Sequence, residues 1–280
     1  MTRSSLDGPD QAPPDPAPPD QVPPDRGRSI GVEFLGHATV LIDMSGVRVL
    51  TDPFLRSRIG PLQRHGPVPD PAALDVDVIV VSHGHRDHFD PRSIEALPGR
   101  PSIVVPRGLA SAFSGHVSDR VVEVTAGESV DVAGLRLEAV RARHWISPGA
   151  RRAQPIGFVL DGGPRVYFAG DTGRFEALAR LVGRVDLALL PVWTWGPHLG
   201  PGHLGPRSAA EVAREVAPAA VVPIHWGTLY PRHLHRVWQR PLREPGEHFA
   251  AHARRLAPGV DVRVLQPGEG TSFEFASRLR

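Results

Sequence analysis

Val76-Asp77-Val78-Ile79-Val80-Val81, followed at once by Ser82-His83-Gly84-His85-Arg86-Asp87-His88, is the stretch on which the reading of this chain turns. The first half is a short apolar run rich in β-branched residues, as in a strand buried on both faces. The second half delivers four metal-competent side chains, His83, His85, Asp87 and His88, where that strand gives way to a loop. His83 and His85 alternate by two, so on an extended segment both point to the same side. Asp87 and His88 follow on the turn and reach a second position nearby. Neutral imidazoles with a carboxylate suit zinc and its neighbours. The competing reading, a solvated polar loop, accounts poorly for four donors at this spacing directly after a buried strand. The stretch reads as a metal site.

A metal site draws on several elements, and three more strand ends carry suitable donors. His144 follows the strand pattern Leu135–Val140, in Arg143-His144-Trp145. Asp171 follows Val166–Ala169, in Gly170-Asp171-Thr172-Gly173, where flanking glycines allow close approach of the backbone. His225 follows Ala220–Ile224, in His225-Trp226-Gly227-Thr228. Each alone reads as a structural polar residue. Their recurrence at the same place in the strand pattern makes a constellation.

With these residues in order, the chain resembles the metallo-β-lactamase fold superfamily, marked by His-x-His-x-Asp-His and then a distant His, an Asp and a last His. The resemblance spans roughly residues 30–270 and implies an α+β fold, a four-layer αββα sandwich with metals in the cleft between its sheets. It implies that His83, His85 and His144 hold one divalent ion and that Asp87, His88 and His225 hold the other. Asp171 would bridge them. Zinc is the expected metal, with manganese or iron as alternatives. Phe34-Leu35-Gly36-His37-Ala38-Thr39, Thr51-Asp52-Pro53 and His203-Leu204-Gly205-Pro206 narrow the likeness. They resemble the N-acylphosphatidylethanolamine phospholipase D family and the ascorbate-6-phosphate lactonase-like hydrolases. The loop after His144 departs from the phospholipases: it is shorter and carries Arg151-Arg152.

Two divalent ions a few ångströms apart can share a hydroxide and clamp both oxygens of an in-line displacement. With the resemblance, this makes a phosphodiesterase of phospholipase D type the first expectation. A lactonase-like hydrolase of a small phosphorylated or cyclic ester is the alternative, and a non-catalytic binding module a lower one. Asp87 would orient the hydroxide or take its proton, and His203 would donate to the substrate or its leaving group. His37 and Asp52 are expected behind the ligands, where a ligating histidine needs a polar partner to fix its tautomer. Asp52 also reads as a cap on the Asp52-Pro53 turn. Arg151, Arg152 and Trp145 are candidates for substrate contact, beside Arg143.

Elsewhere the pattern is that of one domain behind a tail. Residues 1–28 repeat Pro-Pro-Asp and hold few apolar residues, the composition of a disordered segment. Residues 29–280 open with short strands and continue as strands alternating with helices, an order that packs sheets together with helices outside. Strands are expected near 31–35, 38–42, 47–50, 102–105, 121–124, 156–160, 187–190 and 262–265. Helices are expected at 91–97, 109–113, 174–181, 207–216 and 247–256. The pI of 9.8 comes from a chain whose 32 basic residues are all arginine. With no lysine or cysteine, almost nothing titrates between histidine and arginine. The formal charge at pH 7 is only +2, so nucleic-acid binding is not expected. Neither a signal peptide nor a membrane-spanning run is legible, and a cytoplasmic location is the expectation. The expected partner is a small-molecule or phospholipid ester, with peripheral membrane contact left open.

Overall fold

The structure, a computed structural model, describes residues 28–146 and 153–276. The proline-rich tail, but for Arg28, and the pair Arg151 and Arg152 lie outside the described residues. Three antiparallel strands come first: β1 (Ser29–Gly36), β2 (Thr39–Met44) and β3 (Val47–Thr51). A hairpin, β4 (Arg58–Ile59) and β5 (Leu62–Arg64), leads to β6 (Val78–Val80), helix α1 (Pro91–Glu95), β7 (Ser102–Pro106) and β8 (Val121–Val124). The chain then forms β9 (Ser129–Val132), β10 (Leu135–Arg141), β11 (Ile156–Asp161) and β12 (Arg165–Phe168). Next come helix α2 (Leu178–Val182), β13 (Leu187–Pro191), helix α3 (Pro206–Val216), β14 (Ala220–Ile224) and β15 (Leu229–Pro231). Helices α4 (Arg240–Arg243) and α5 (Pro245–Leu256) and strands β16 (Asp261–Val262) and β17 (Glu269–Glu274) follow.

These strands make two seven-stranded sheets, ordered β17-β1-β2-β3-β6-β7-β8 and β16-β14-β13-β12-β11-β10-β9, with β15-β5-β4 as a small third. Side chains alternate along a strand, and that alternation sorts the core into layers. Val78 and Val80 point between the sheets and join Phe34, Leu137, Phe158 and Phe168. Ile79 and Val81 point the other way and join Leu50, Ile94, Leu97 and Phe113 under α1. The unbroken apolar run of 78–81 thus has a core on each face. On the far side of the second sheet, α3 presents Ala209, Ala210 and Ala213 and α5 presents Phe249 and Ala253 to the larger core. The result is helix, sheet, sheet, helix: the expected αββα sandwich as one domain.

Strand direction explains where the site lies. β3, β6, β7 and β8 run parallel, and β1 shares their direction because β2 is antiparallel to both β1 and β3. In the second sheet β12, β13 and β14 run parallel, and β10 matches them across antiparallel β11. The segments that leave β1, β3 and β6 therefore exit one edge of the first sheet. Those leaving β10, β12, β13 and β14 exit one edge of the second. His37, Asp52, His83, His144, Asp171, Trp193 and His225 all sit just past these exits.

Several expected elements differ in extent. The segment 109–113 forms a single 3-10 turn, Ala110–Ala112. The helix expected from 174 begins only at Leu178, because Gly173 N–H donates to the Arg143 carbonyl and holds the preceding loop to the site. The strand expected over 262–265 pairs only at Asp261–Val262. Five strands lacked a readable pattern: β4, β5 and β15 are two or three residues long, β9 is largely exposed, and β17 (Glu-Gly-Thr-Ser-Phe-Glu) is a polar sheet edge. An edge strand of that composition resists pairing with another chain.

Candidate metal centre

Two clusters of donors meet around Asp171. In the first, His83 Nε2 lies 2.9 Å from His85 Nδ1, which lies 3.0 Å from His144 Nε2. In the second, His88 Nε2 lies 3.0 Å from His225 Nε2, with Asp87 Oδ2 3.7 Å from His88 Nε2. Asp171 stands between them. Its Oδ2 is 3.3 Å from His88 Nε2 and 4.0 and 3.9 Å from His83 and His144, and its Oδ1 is 3.1 Å from His225 Nε2. Each cluster is compact enough to hold a metal ion.

The outward nitrogens of four of these rings are tied to oxygen. His83 Nδ1 pairs with Ser82 Oγ at 2.9 Å and His88 Nδ1 with Asp52 Oδ2 at 2.7 Å. His144 Nδ1 donates to the Gly202 carbonyl and His225 Nδ1 to the Trp193 carbonyl, both at 3.0 Å. A proton held on each outward nitrogen leaves the inward lone pair free to bind a cation. Inward nitrogens about 3 Å apart, and an Asp171 Oδ1 that is buried yet receives no hydrogen bond, fit a group that supplies positive charge. The residues fit a metal.

Asp52 reaches further than a turn cap. It is fully buried at a positive φ of 35° and accepts from Ser82 N–H and Ser82 Oγ, both at 2.6 Å, as well as from His88. Ser82 in turn holds His83, so one carboxylate braces a ring of each cluster. His37 Nε2 pairs with Asp87 Oδ2 at 2.9 Å, and its ring lies on that of His225 with centroids 3.9 Å apart. Backbone bonds fix this contact: His37 O accepts from His225 N–H, and His37 N–H donates to Thr228 Oγ1. Sequence reasoning missed Ser82 and the carbonyls of Trp193 and Gly202. A serine directly before the first histidine was the only side-chain signal on offer.

His203 is brought to the centre. Its Nε2 lies 3.3 Å from Asp171 Oδ2, and its ring stands edge-on to His144 at 4.7 Å. Trp145 lies at the rim, 58% exposed. Trp226, beside His225, is a core residue instead: it stacks on Phe34 and donates from Nε1 to the Pro223 carbonyl.

Burial sets the charge state of most of these rings. It pushes His83 and His225 well below the ordinary imidazole value, His85 down to about 4, and His144 and His37 down as well. All five are neutral at pH 7, the form that ligates. Burial opposes charge on His88 too, but Asp171, Asp87 and Asp52 outweigh it and hold its pKa well above the ordinary value. Burial likewise works against ionised Asp87 and Asp171, and the surrounding histidines reverse it, holding both carboxyls well below the usual range. For His203 burial is outweighed by the hydrogen bond and charge of Asp171, and its pKa is raised.

Comparison with known proteins places the chain in a family. Residues 47–226 match the family model described as the beta-lactamase superfamily domain. A metal-dependent hydrolase of the UPF0173 group from Thermus thermophilus is 34% identical, covering 86% of this chain and 97% of that protein. An uncharacterized protein of Mycobacterium tuberculosis is also 34% identical, over 86% of this chain and 68% of its own. Among solved structures, Igni18, a metallo hydrolase from Ignicoccus hospitalis, superposes with a TM-score of 0.66 at 22% identity. That match covers 89% of this chain and 100% of the other, and it is a likeness of fold.

Proposed function

The chain belongs to the metallo-β-lactamase superfamily, and from that premise we propose that it is a metal-dependent hydrolase with a dinuclear centre, cleaving a phosphodiester in the manner of a phospholipase D. The observation that carries the reading is the pair of donor clusters sharing Asp171. His83, His85 and His144 would hold one ion, Asp87, His88 and His225 the other, with Asp171 touching both. Nitrogen and carboxylate donors without thiolate suit zinc, with manganese or iron as alternatives. When bound, such a pair lowers the pKa of water toward neutrality and offsets charge on a phosphoryl group, which is the chemistry an in-line displacement needs.

The chain's own groups do the rest. Asp87, held by His37, is ionised at any working pH and accepts a hydrogen bond from the attacking water, passing its proton on to solvent. His203 Nε2 faces the cleft beside Asp171, with Nδ1 fixed on the Gly200 carbonyl at 3.2 Å. As the new phosphorus–oxygen bond forms and the old one breaks, the departing oxygen takes the proton from His203 Nε2. Asp171 keeps that proton available by raising the His203 pKa.

The test is hydrolysis of bis(p-nitrophenyl) phosphate beside a simple lactone by zinc-loaded protein, with Asp171→Ala as control. Diesterase activity lost in the variant is the expected result. Lactone cleavage alone would replace the phosphodiesterase reading with the lactonase one. Turnover of neither would overturn the substrate class.

A further inference from the structure

Among the described residues seven large apolar side chains are exposed, and five of them lie on segments that carry donors of the metal centre or touch such a segment: Trp145, Trp195, Leu199, Val237 and Trp238. They come from three segments that touch one another. Trp145 follows His144, whose backbone packs against Gly202: a Cβ there would lie 3.2 Å from His144 Cα and 3.1 Å from Trp145 N. Trp195 and Leu199 lie on the loop that starts at Trp193, whose carbonyl holds His225, and ends at His203. His198 of that loop meets the Trp238 ring edge-on at 5.9 Å. The third segment turns at Val237-Trp238, both of whose N–H groups donate to the Leu234 carbonyl.

This third segment is also the most one-sidedly basic part of the rim. Pro231 to Arg243 contains Arg232, His233, His235, Arg236, Arg240 and Arg243 and no carboxylate. Arg240 pairs with Glu244, while Arg232, Arg236 and Arg243 form no ion pair among the described residues. An apolar tip set among unpaired arginines is complementary to a surface that is negative outside and apolar beneath. Tryptophan suits such a boundary, having an apolar body and a polar N–H.

We propose that this rim docks the protein on an anionic lipid bilayer, with Val237 and Trp238 inserted at the interface, Arg232 and Arg236 against the headgroups, and the metal centre facing the membrane. Three other occupants fit less well. Val237 is 79% exposed, too open to enclose a small molecule. A second copy related by a two-fold axis would set Arg232 and Arg236 against themselves. Single-stranded nucleic acid would stack on aromatic rings, and the most exposed side chain here is aliphatic. The inference concerns a surface and stands apart from which ester the centre cleaves.

The experiment is co-sedimentation of the full-length zinc-loaded protein with phosphatidylcholine vesicles, with and without phosphatidylglycerol. Three variants accompany it: Val237→Asp with Trp238→Ser, Arg232→Gln with Arg236→Gln, and Leu181→Ser as an exposed apolar control away from the rim. Binding is expected only to the anionic vesicles. Each rim pair should weaken it about tenfold or more, and the control should leave it unchanged. Melting temperature, metal content and hydrolysis of a soluble ester should stay at wild-type values, because none of the altered residues contacts the donor clusters. Four results would each overturn the proposal: no sedimentation with anionic vesicles at low salt, equal binding by the rim variants, tighter binding to a single-stranded oligonucleotide lost in those variants, or a dimer in solution that the variants abolish.

Discussion

Asp52 and Gly170 show how much of the centre rests on residues that would never touch an ion. Asp52 fixes His88 directly and His83 through Ser82, so its loss should loosen both clusters together. Partners of this kind are worth about 10–100-fold in metal affinity. Asp52→Asn is therefore predicted to weaken zinc binding by roughly that factor in a competition titration with a chromogenic chelator. A loss confined to one ion would contradict the brace. Gly170, at a φ of +57°, lets the Asp171 turn lie against the first sheet: a Cβ there would come within 2.4 Å of Ser82 Cβ. Gly170→Ala should therefore displace Ser82 and lower melting temperature and metal content together. The donors themselves were legible in the sequence because they sit at strand ends in a fixed spacing. Asp52 was legible only as a candidate, since its partner His88 lies 36 residues away and only the pairing of β3 with β6 brings them together.

At the scale of elements, the long apolar strands and the helices α3 and α5 follow from periodicity, whereas short pieces held by single side chains do not. Arg64 on β5 is such a side chain. It is buried, and its guanidinium donates to the carbonyls of Leu35, Phe54 and Arg56, fastening the small third sheet to the end of β1. Nothing in the residues around Arg64 announces three carbonyl partners on two other segments. Arg64→Leu should leave those carbonyls unpaired at a cost of about 2 kcal/mol or more, read from the denaturant midpoint. A midpoint unchanged from wild type would remove the role. On the other side, α5 passes so close to Trp226 that a Cβ on Gly246 would lie 2.4 Å from the indole ring. Trp226 is boxed in by Phe34 and by its bond to Pro223, so it has little room to yield. Gly246→Ala is predicted to destabilise by about 1–3 kcal/mol, as overpacking does.

For the molecule as a whole, the centre stitches the edges of two sheets, and metal loading is coupled to stability and to protons. An ion that binds only the folded chain at about a hundred times its Kd adds about 2.7 kcal/mol. Chelation should accordingly lower the melting temperature by several degrees, reversibly on adding zinc back. Without metal, His88 carries a raised pKa, so its contribution to stability is fully present below the ordinary imidazole value and is lost as pH rises through the raised one. Metal must displace that proton, while His83, His85 and His225 have none to give. Loading at pH 7 should therefore release protons, and apparent affinity should rise with pH. Calorimetry in two buffers of different ionisation enthalpy would show proton uptake instead if the assignment were wrong. The sandwich and its ligand order were legible because strand ends repeat the donors. The rim of exposed tryptophans was not, because exposure is decided by which loops meet.

Two donor clusters share one carboxylate, and elemental analysis reads that sharing as zinc content. Wild-type protein and Asp171→Ala would be loaded with zinc, dialysed free of excess metal and measured for zinc per chain. The structure predicts two equivalents in the wild type and a marked loss in the variant. A single equivalent in the wild type, or two retained without Asp171, would contradict it.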